Sequence, residues 1–191
     1  TRDLHDTTVG IIGFGGNGRR IAQLLAPFRT RILATDLFPE DKPSYVEQLL
    51  PADALDDVLR QVDIAILCIP LNAQTHGLID AGRLACLRPG TILINVARGQ
   101  VVVERDLVAA LQSGHLWGAG VDVTEVEPLP VDSPLWELPN VIITPHVGAQ
   151  SLRRADVTTD FLARNLERYL AGQPLLNVVD KQLGFPRKRG W

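Results

Sequence analysis

Three polar residues have side chains that could bind a carboxylate and transfer a proton to a carbonyl oxygen. They are Arg98 in "NVARG", Glu127 in "EVEP" and His146 in "TPHVG". A histidine can give a proton to a carbonyl oxygen near neutral pH. A carboxylate next to the ring orients it and stabilises the imidazolium. A guanidinium holds a carboxylate through a forked pair of hydrogen bonds. Together the three fit acid–base chemistry on a substrate that carries a carboxylate beside a carbonyl.

Each of these residues also has an ordinary structural interpretation when it is taken alone. Arg98 could pair with Glu104 at the surface. Glu127 could be a solvated loop acid, and His146 could be a structural histidine that closes a strand. The chemical interpretation therefore depends on whether the fold brings the three residues to one place.

The elements that would position them alternate along the chain between short apolar runs and amphipathic helical patterns. The predicted strands are 8–13, 31–36, 63–70, 91–97, 116–123 and 140–145. The predicted helices are 18–28, 51–61, 82–90, 104–114 and 151–174, the last with Ser151 as its N-cap. Apolar strands that alternate with helices favour a parallel sheet covered on each side. Right-handed crossovers then make the sheet doubly wound.

In such a sheet the carboxyl ends of the strands lie at one edge, where ligands bind. Arg98 and His146 follow predicted strands, Pro70 is the last residue of another, and Asp122 lies near the end of a fourth. Glu127 comes five residues after Asp122. We therefore expect the arginine, the glutamate and the histidine to converge on the same edge of the sheet.

A glycine-rich turn closes the first predicted strand and opens the first helix. Gly13, Gly15 and Gly18 form the pattern G-x-G-x-x-G, which in this context is typical of dinucleotide binding. Gly13 permits the tight turn, Gly15 lets a pyrophosphate approach the backbone, and Gly18 allows close packing of helix on strand. The helix N-terminus offers N–H groups and a partial positive charge to the phosphates. The alternative is a purely structural corner between strand and helix.

Asp36 ends the second predicted strand, 18 residues after Gly18. An acid at this place binds the ribose hydroxyls of NAD and repels the additional phosphate of NADP. The sequence thus predicts an α/β fold, a Rossmann-type doubly wound parallel sheet in a single domain with a long C-terminal helix. The predicted cofactor is NAD.

Composition excludes several other classes of function. The chain has 191 residues, a net charge of -3, 46 % hydrophobic residues and 21 % charged residues. This balance argues against nucleic-acid binding and against a polybasic membrane anchor. The sequence shows no apolar run long enough for a membrane span and no signal-peptide pattern. The basic cluster 187–190 is interpreted as a solvated tail. Cys68 and Cys86 lie outside any metal-ligand spacing, so no metal site is predicted, and unpaired thiols suit a reducing cytoplasm.

Five stretches together resemble the NAD-binding domain of the D-isomer-specific 2-hydroxyacid dehydrogenases, a family that includes D-lactate, glyoxylate/hydroxypyruvate and D-3-phosphoglycerate enzymes. They are "TVGIIGFGGNGRRIA", "ILATD", "INVARGQVVVERDLVAAL", "GAGVDVTEVEPLP" and "NVIITPHVGAQS", in family order over roughly residues 5 to 180. The resemblance implies that Arg98 binds the substrate, that Glu127 is the carboxylate partner and that His146 is the general acid and base. The cofactor contacts that it implies are Gly13, Gly15, Gly16, Asn17, Gly18, Asp36, Pro70, Thr75, Val96, Ala97, Arg98, Asp122, His146 and Gly148.

The chain departs from the family pattern in three respects. Asn17 stands where an aliphatic residue is commoner, and Val103 replaces the usual aspartate before Glu104, which removes a helix cap. Family members also have about a hundred further residues before this point, which form a substrate-binding domain. Since the chain has no methionine, it is interpreted as a cofactor-domain portion from which that domain is absent. The expected organisation is an entry linker 1–7, a Rossmann domain 8–150, a C-terminal helix and return segment 151–180, and a tail 181–191.

The resemblance implies an NAD-dependent oxidoreductase that interconverts a small D-2-hydroxy acid and its 2-oxo acid. A cytoplasmic homodimer is expected, and the isolated chain is expected to be poorly active because one wall of the cleft is missing. One alternative is an NAD(H)-sensing, corepressor-like binding protein on the same fold. Another is a related formate or phosphite dehydrogenase, although the Arg, Glu and His set makes formate a poorer fit.

Overall fold

A computed structural model describes residues 3–186 of the chain. The chain divides into two compact units, Thr1–Pro145 and His146–Trp191. The basic cluster 187–190, predicted to be a solvated tail, lies outside the described residues.

The first unit is built on one sheet of seven parallel strands. The strands are β1 (Thr8–Ile12), β2 (Arg31–Asp36), β3 (Gln48–Pro51), β4 (Ile64–Leu67), β5 (Thr91–Asn95), β6 (Leu116–Val121) and β7 (Val141–Ile143). Their spatial order is β3-β2-β1-β4-β5-β6-β7. The chain runs from β1 outwards to β3 and then returns to β4 on the other side of β1. This reversal is the topological switch point of a doubly wound sheet, so the predicted fold class is confirmed.

Four helices connect these strands: α1 (Gly16–Leu25), α2 (Leu55–Leu59), α3 (Ala81–Cys86) and α4 (Glu104–Gln112). A 3₁₀ turn over Ala52–Ala54 precedes α2. Only part of the predicted helix 51–61 therefore has α-helical geometry. The first turn of α4 has no side-chain cap from Val103, which confirms the predicted loss of a cap.

The short strand β3 was not predicted from the sequence. It has only four residues and pairs on one side alone, with β2. It ends at Pro51, and proline in a sheet is confined to edges and strand ends. Its partly buried residues lack the continuous apolar run that marked the inner strands.

Apolar side chains pack on both faces of the sheet. On one face α1 contributes Ala22 to a cluster of Val9, Ile11 and Ile32, with Phe14 fully buried in the turn before the helix. The other face carries the larger cluster, to which α2, α3 and α4 contribute buried leucines and Val58. Burial of this apolar surface is the main favourable term in folding, and it fixes the strand ends that carry the site.

The second unit contains the predicted long helix, α5 (Arg154–Leu170). It starts after Arg153 and has no side-chain cap, so the prediction of Ser151 as its N-cap is wrong. The chain leaves the helix through Gly172, whose φ is +65°. The Asn165 side chain then holds the following segment, because its Oδ1 accepts the N–H of Leu176 at 2.8 Å.

Within residues 3–186, no helix has both the length and the apolar character to cross a membrane. The same residues contain no group of three or more metal-ligand side chains. Both cysteines are unpaired and partly buried.

Candidate active site

The carboxyl ends of the parallel strands bring the predicted site residues of the first unit to one edge. The residues in question are Gly13 to Gly18 after β1, Asp36 at the end of β2, Pro70 after β4, Arg98 after β5, and Asp122 and Glu127 after β6. The first unit therefore carries the glycine turn, the arginine and the glutamate at the edge that the sequence predicted.

The glycine turn has the geometry that its three roles require. Gly13 adopts φ +94°, and its Cα lies so close to β4 that a side chain there would meet the Cys68 backbone at 2.8 Å. A side chain on Gly18 would overlap the carbonyl oxygen of Gly13. By contrast, a Cβ on Gly15 would have no atom within 4 Å. Gly13 and Gly18 are therefore packed closely against the protein, whereas the space beside Gly15 is open and can admit a diphosphate.

Two backbone N–H groups hold the Asp36 carboxylate. Phe14 N donates to Oδ2 at 2.7 Å, and Phe38 N donates to Oδ1 at 2.9 Å. Each carboxylate oxygen has further acceptor capacity. Asp36 is thus oriented by the glycine turn on one side and by its own loop on the other, and it can accept hydrogen bonds from the two hydroxyls of a ribose.

The buried side chain of Asn95 shapes the Arg98 turn. Its Nδ2 donates to the Arg98 carbonyl, and its Oδ1 accepts the N–H of Ala97, both at 3.0 Å. The Arg98 side chain is exposed and donates through Nη1 to the Ala97 carbonyl at 2.7 Å. Because the backbone is fixed from inside, the guanidinium extends from a rigid base at the open edge.

Glu127 lies on the loop after β6 and is exposed. Its Oε1 accepts the N–H of Thr124 at 3.2 Å. The Thr124 hydroxyl in turn donates to the Val126 carbonyl at 2.8 Å. These local bonds hold the carboxylate close to the end of β6.

The Arg98 loop and the Glu127 loop are in direct contact. Gly99 lies against the Thr124 carbonyl so closely that a Cβ on Gly99 would overlap it. Gln100 Nε2 donates to the Glu125 carbonyl at 2.7 Å. Glu104 and Glu125 also exchange backbone-to-carboxylate bonds, with Glu125 N donating to Glu104 Oε2 at 3.0 Å and Glu104 N donating to Glu125 Oε2 at 3.3 Å. This set of contacts, the Gly99–Glu125 clasp, fixes the two loops relative to one another.

The clasp engages the carboxylate that was the alternative partner of Arg98. A surface pair between Arg98 and Glu104 was the structural alternative, but the Glu104 carboxylate accepts the N–H of Glu125 instead. Conversely, the Glu125 carboxylate lies at the N-terminus of α4, where Val103 supplies no cap. An acid at that end of a helix is stabilised by the exposed N–H groups and the helix dipole.

The remaining predicted contacts line the same edge. Asp122 is buried, and its Oδ1 accepts the hydroxyl of Thr144 at 2.6 Å. The Thr75 hydroxyl donates to the Pro70 carbonyl at 2.7 Å and so ties together the loop after β4. Val96 and Ala97 continue β5 towards Arg98. Gly16 and Asn17 are exposed in the first turn of α1.

His146 is the first residue of the second unit and directly follows Pro145. It is exposed and adopts φ +54°, in the left-handed region that side-chain-bearing residues rarely occupy. Gly148 is exposed two residues later. Residues held in such conformations cluster at functional sites. The convergence of His146 with Glu127 and Arg98 stays a prediction.

Sequence reasoning missed the residues of the clasp and the role of Asn95. Asn95 had a signal that could have been used, because it is a polar residue inside the apolar run "TILINVA", and buried polar groups need hydrogen-bond partners. Glu125 and Gln100 had no such signal, since their partners lie 21 to 25 residues away in sequence.

Cys68 lies next to the glycine turn, and burial raises the pKa of its thiol to about 12, from 9.0. The thiolate is the reactive form. At pH 8 its population is therefore expected to be roughly a thousandfold below that of an ordinary thiol. In a Cys86→Ser variant, iodoacetamide should label the native protein very slowly at pH 8 and rapidly in urea, as measured by mass spectrometry. Equal rates in the two conditions would contradict this expectation.

The same raised pKa has a consequence for stability in alkali. An unfolded thiol ionises near pH 9, whereas the folded one stays protonated up to about pH 12. The folded state then binds more protons than the unfolded state within this interval. The contribution of the Cys68 thiol to the free energy of unfolding is therefore fully present below pH 9 and is lost as the pH rises towards 12. Cys68→Ala should remove this part of the pH dependence in urea titrations.

Comparison with known proteins identifies the family. The profile of the D-isomer specific 2-hydroxyacid dehydrogenase, NAD binding domain, matches residues 1–148. The chain is 36 % identical over 191 residues to a glyoxylate reductase of Pyrococcus furiosus, covering 99 % of this chain and 56 % of that protein. It is 38 % identical over 179 residues to a D-3-phosphoglycerate dehydrogenase of Mycobacterium bovis, covering 93 % of this chain and 33 % of that protein.

Solved structures agree with these sequence relationships. A D-isomer specific 2-hydroxyacid dehydrogenase of Xanthobacter autotrophicus, in complex with NADPH and MES, superposes with a TM-score of 0.89 at 39 % identity and covers 96 % of this chain and 75 % of that chain. An NADPH-dependent glyoxylate/hydroxypyruvate reductase of Sinorhizobium meliloti, in complex with NADP and sulfate, also gives 0.89, at 34 % identity over 97 % of this chain and 59 % of that chain.

The chain spans little more than half the length of the glyoxylate reductase that it matches. The family match nonetheless covers the seven strands of the sheet, the glycine turn, Arg98, Glu127 and His146. The chain therefore belongs to the D-isomer specific 2-hydroxyacid dehydrogenase family, through its NAD binding domain.

Proposed function

We propose that this chain binds NAD and serves in the interconversion of a small D-2-hydroxy acid and its 2-oxo acid. The observation that carries the proposal is the clasp, because it fixes the Arg98 and Glu127 loops together at the sheet edge that also carries the glycine turn. The relatives named above are reductases and dehydrogenases. Their activities favour the enzyme over the NAD-sensing corepressor and over a formate or phosphite dehydrogenase.

The proposed roles follow from the chemistry of each side chain. Arg98 holds the carboxylate of the 2-oxo acid and polarises the neighbouring carbonyl. His146 gives a proton to the carbonyl oxygen as the hydroxyl forms, and Glu127 orients the ring and stabilises its charged form. Bound NADH supplies the hydride that reaches carbon 2. In the reverse direction His146 takes up the hydroxyl proton.

Asp36 is the basis for proposing NAD as the preferred cofactor, although the two solved relatives above contain NADPH or NADP. Its carboxylate is held at the end of β2 by the N–H groups of Phe14 and Phe38. A phosphate on the adenosine ribose would bring a second negative charge close to it, which raises the free energy of the NADPH complex.

Replacing Asp36 with asparagine tests this preference. NADH affinity is expected to fall about tenfold or more, because a charged acceptor for the ribose hydroxyls is lost. NADPH affinity should stay the same or rise, since the repulsion is gone. Asp53→Asn is the matched control, because it removes an exposed carboxylate from the first unit outside this loop. Equal losses for both cofactors, measured by nicotinamide fluorescence, would contradict the proposal.

The oxidoreductase activity itself is tested with a panel of 2-oxo acids and NADH. The longest protein that the gene encodes should be used, because the relatives are longer than this chain. Consumption of NADH with at least one of glyoxylate, hydroxypyruvate or phosphohydroxypyruvate is expected. NADH binding without turnover on any of them would instead support the corepressor. The homodimer and the cytoplasmic location stay predictions.

A further inference from the structure

Arg19 connects the glycine turn to the loop that follows β2. It lies on α1, and its guanidinium donates through Nη1 to the Asp41 carbonyl at 2.7 Å and through Nη2 to the Glu40 carbonyl at 2.6 Å. Its Cζ lies 4.8 Å from the centre of the Phe14 ring. The side chain therefore spans from the first turn of the helix to the far part of the loop.

The same loop is held at its near end by Asp36. Oδ1 of Asp36 accepts the N–H of Phe38, while Oδ2 accepts the N–H of Phe14 in the glycine turn. Phe14 thus contacts Asp36 through its backbone and Arg19 through its ring. Arg19 and Asp36 thus hold residues 37–41, the first part of the loop after β2, against one residue of the turn.

Two further features describe the surroundings of Arg19. Its Nε is buried with no hydrogen-bond partner among residues 3–186, and such a group costs free energy that an arginine in open solvent avoids. Asp41, which presents one of the carbonyls, adopts φ +53°. Strained conformations of this kind persist only where the surroundings impose them.

The charged side chains near this loop bear on the choice between NADH and NADPH. Lys42, a cation on the loop itself, donates to the Val46 carbonyl at 2.7 Å. Both cations are thus bound to backbone carbonyls, whereas the exposed acids Glu40 and Asp41 remain on the loop. To bind a ribose phosphate, Arg19 would have to give up two charge-assisted hydrogen bonds to backbone carbonyls.

We propose that Arg19 is a positioning residue that favours NADH over NADPH, because it holds the Glu40 and Asp41 carbonyls and so fixes the loop that follows Asp36. The inference rests on the proposed binding of NAD. In this proposal Arg19 binds the loop carbonyls and does not bind the ribose phosphate of NADPH. These two assignments predict opposite effects on the ratio of the two affinities.

The test is titration of Arg19→Gln with NADH and with NADPH, followed by nicotinamide fluorescence. We expect NADH affinity to fall about tenfold and NADPH affinity to change less than about threefold. Arg19→Lys should recover part of the NADH affinity, because one ammonium can still reach a loop carbonyl. Affinity for reduced nicotinamide mononucleotide, which lacks the adenosine ribose, should not change.

Arg20→Gln is the matched control, since Arg20 is exposed on the same helix and bonds to Gln23 at 2.6 Å. Circular dichroism checks that each variant folds. A selective loss of NADPH affinity in Arg19→Gln, or equal losses for both cofactors, would overturn the inference while leaving NAD binding intact. Absence of NADH binding by the unchanged, folded protein would overturn the proposed function itself.

Discussion

Replacing Gly99 with alanine is expected to lower the free energy of unfolding by roughly 3 kcal/mol, at the upper end of what overpacking costs. The added methyl group would overlap the Thr124 carbonyl and would lie 2.5 Å from the Glu125 nitrogen. These neighbours are backbone atoms, so no side-chain rotation can make room. Relief requires the Arg98 loop and the Glu127 loop to move apart.

Urea denaturation followed by tryptophan fluorescence measures this effect, because Trp117 and Trp136 both lie in the first unit. A lower midpoint with an unchanged slope is expected. Gly82→Ala in α3 is the control, since a Cβ there meets its nearest atom, Asp80 Oδ1, at an ordinary 3.4 Å. That change should be neutral or stabilising by about 0.5 kcal/mol. A loss of less than about 1 kcal/mol for Gly99→Ala would show that the loops are not rigidly joined.

Replacing His146 with glutamine is expected to lower kcat for 2-oxo acid reduction by about 10² to 10⁴, the usual contribution of a general acid. Glutamine can donate a hydrogen bond to the carbonyl oxygen but cannot transfer a proton to it. The affinity for NADH should fall far less than kcat, because the glycine turn and Asp36 supply the proposed contacts to the pyrophosphate and the adenosine ribose.

Because His146 has a positive φ, a second variant is needed to separate backbone strain from loss of the imidazole. Glutamine at φ +54° could lose activity through strain alone. Asparagine tolerates that conformation better, and it should be equally inactive if the imidazole is the acid. Glycine removes the strain altogether, and its activity should be partly restored by added imidazole. His5→Gln changes an exposed histidine near the N-terminus and serves as the control. Full turnover by His146→Asn would contradict the proposed role.

The sequence predicted the strands of the sheet well where they consist of apolar residues. Six of the seven strands were found because each is a run of apolar residues, as in "RILATD", which matches β2 at both ends. The edge strand β3 was missed because its four residues form no such run. The start of α5 was placed three residues early, because Ser151 has the right residue type for a cap but does not cap the helix.

The candidate site was only partly predictable for a different reason. Strand ends converge as a matter of topology, so the arginine, the glutamate and the glycine turn could be assigned to one edge before any distance was known. The contacts that hold them depend on pairs such as Arg19 with Asp41, which are 22 residues apart in sequence. Neither the residue types nor a short-range period indicates such pairs.

Saturable binding of NADH to this chain is the measurement on which the proposed function most directly depends. We expect the folded protein to enhance nicotinamide fluorescence to a plateau, to bind NADPH more weakly than NADH, and to lose the difference when Asp36 is replaced by asparagine. A folded protein that shows no saturable NADH binding, or the same affinity for both cofactors with and without Asp36, would contradict the proposal.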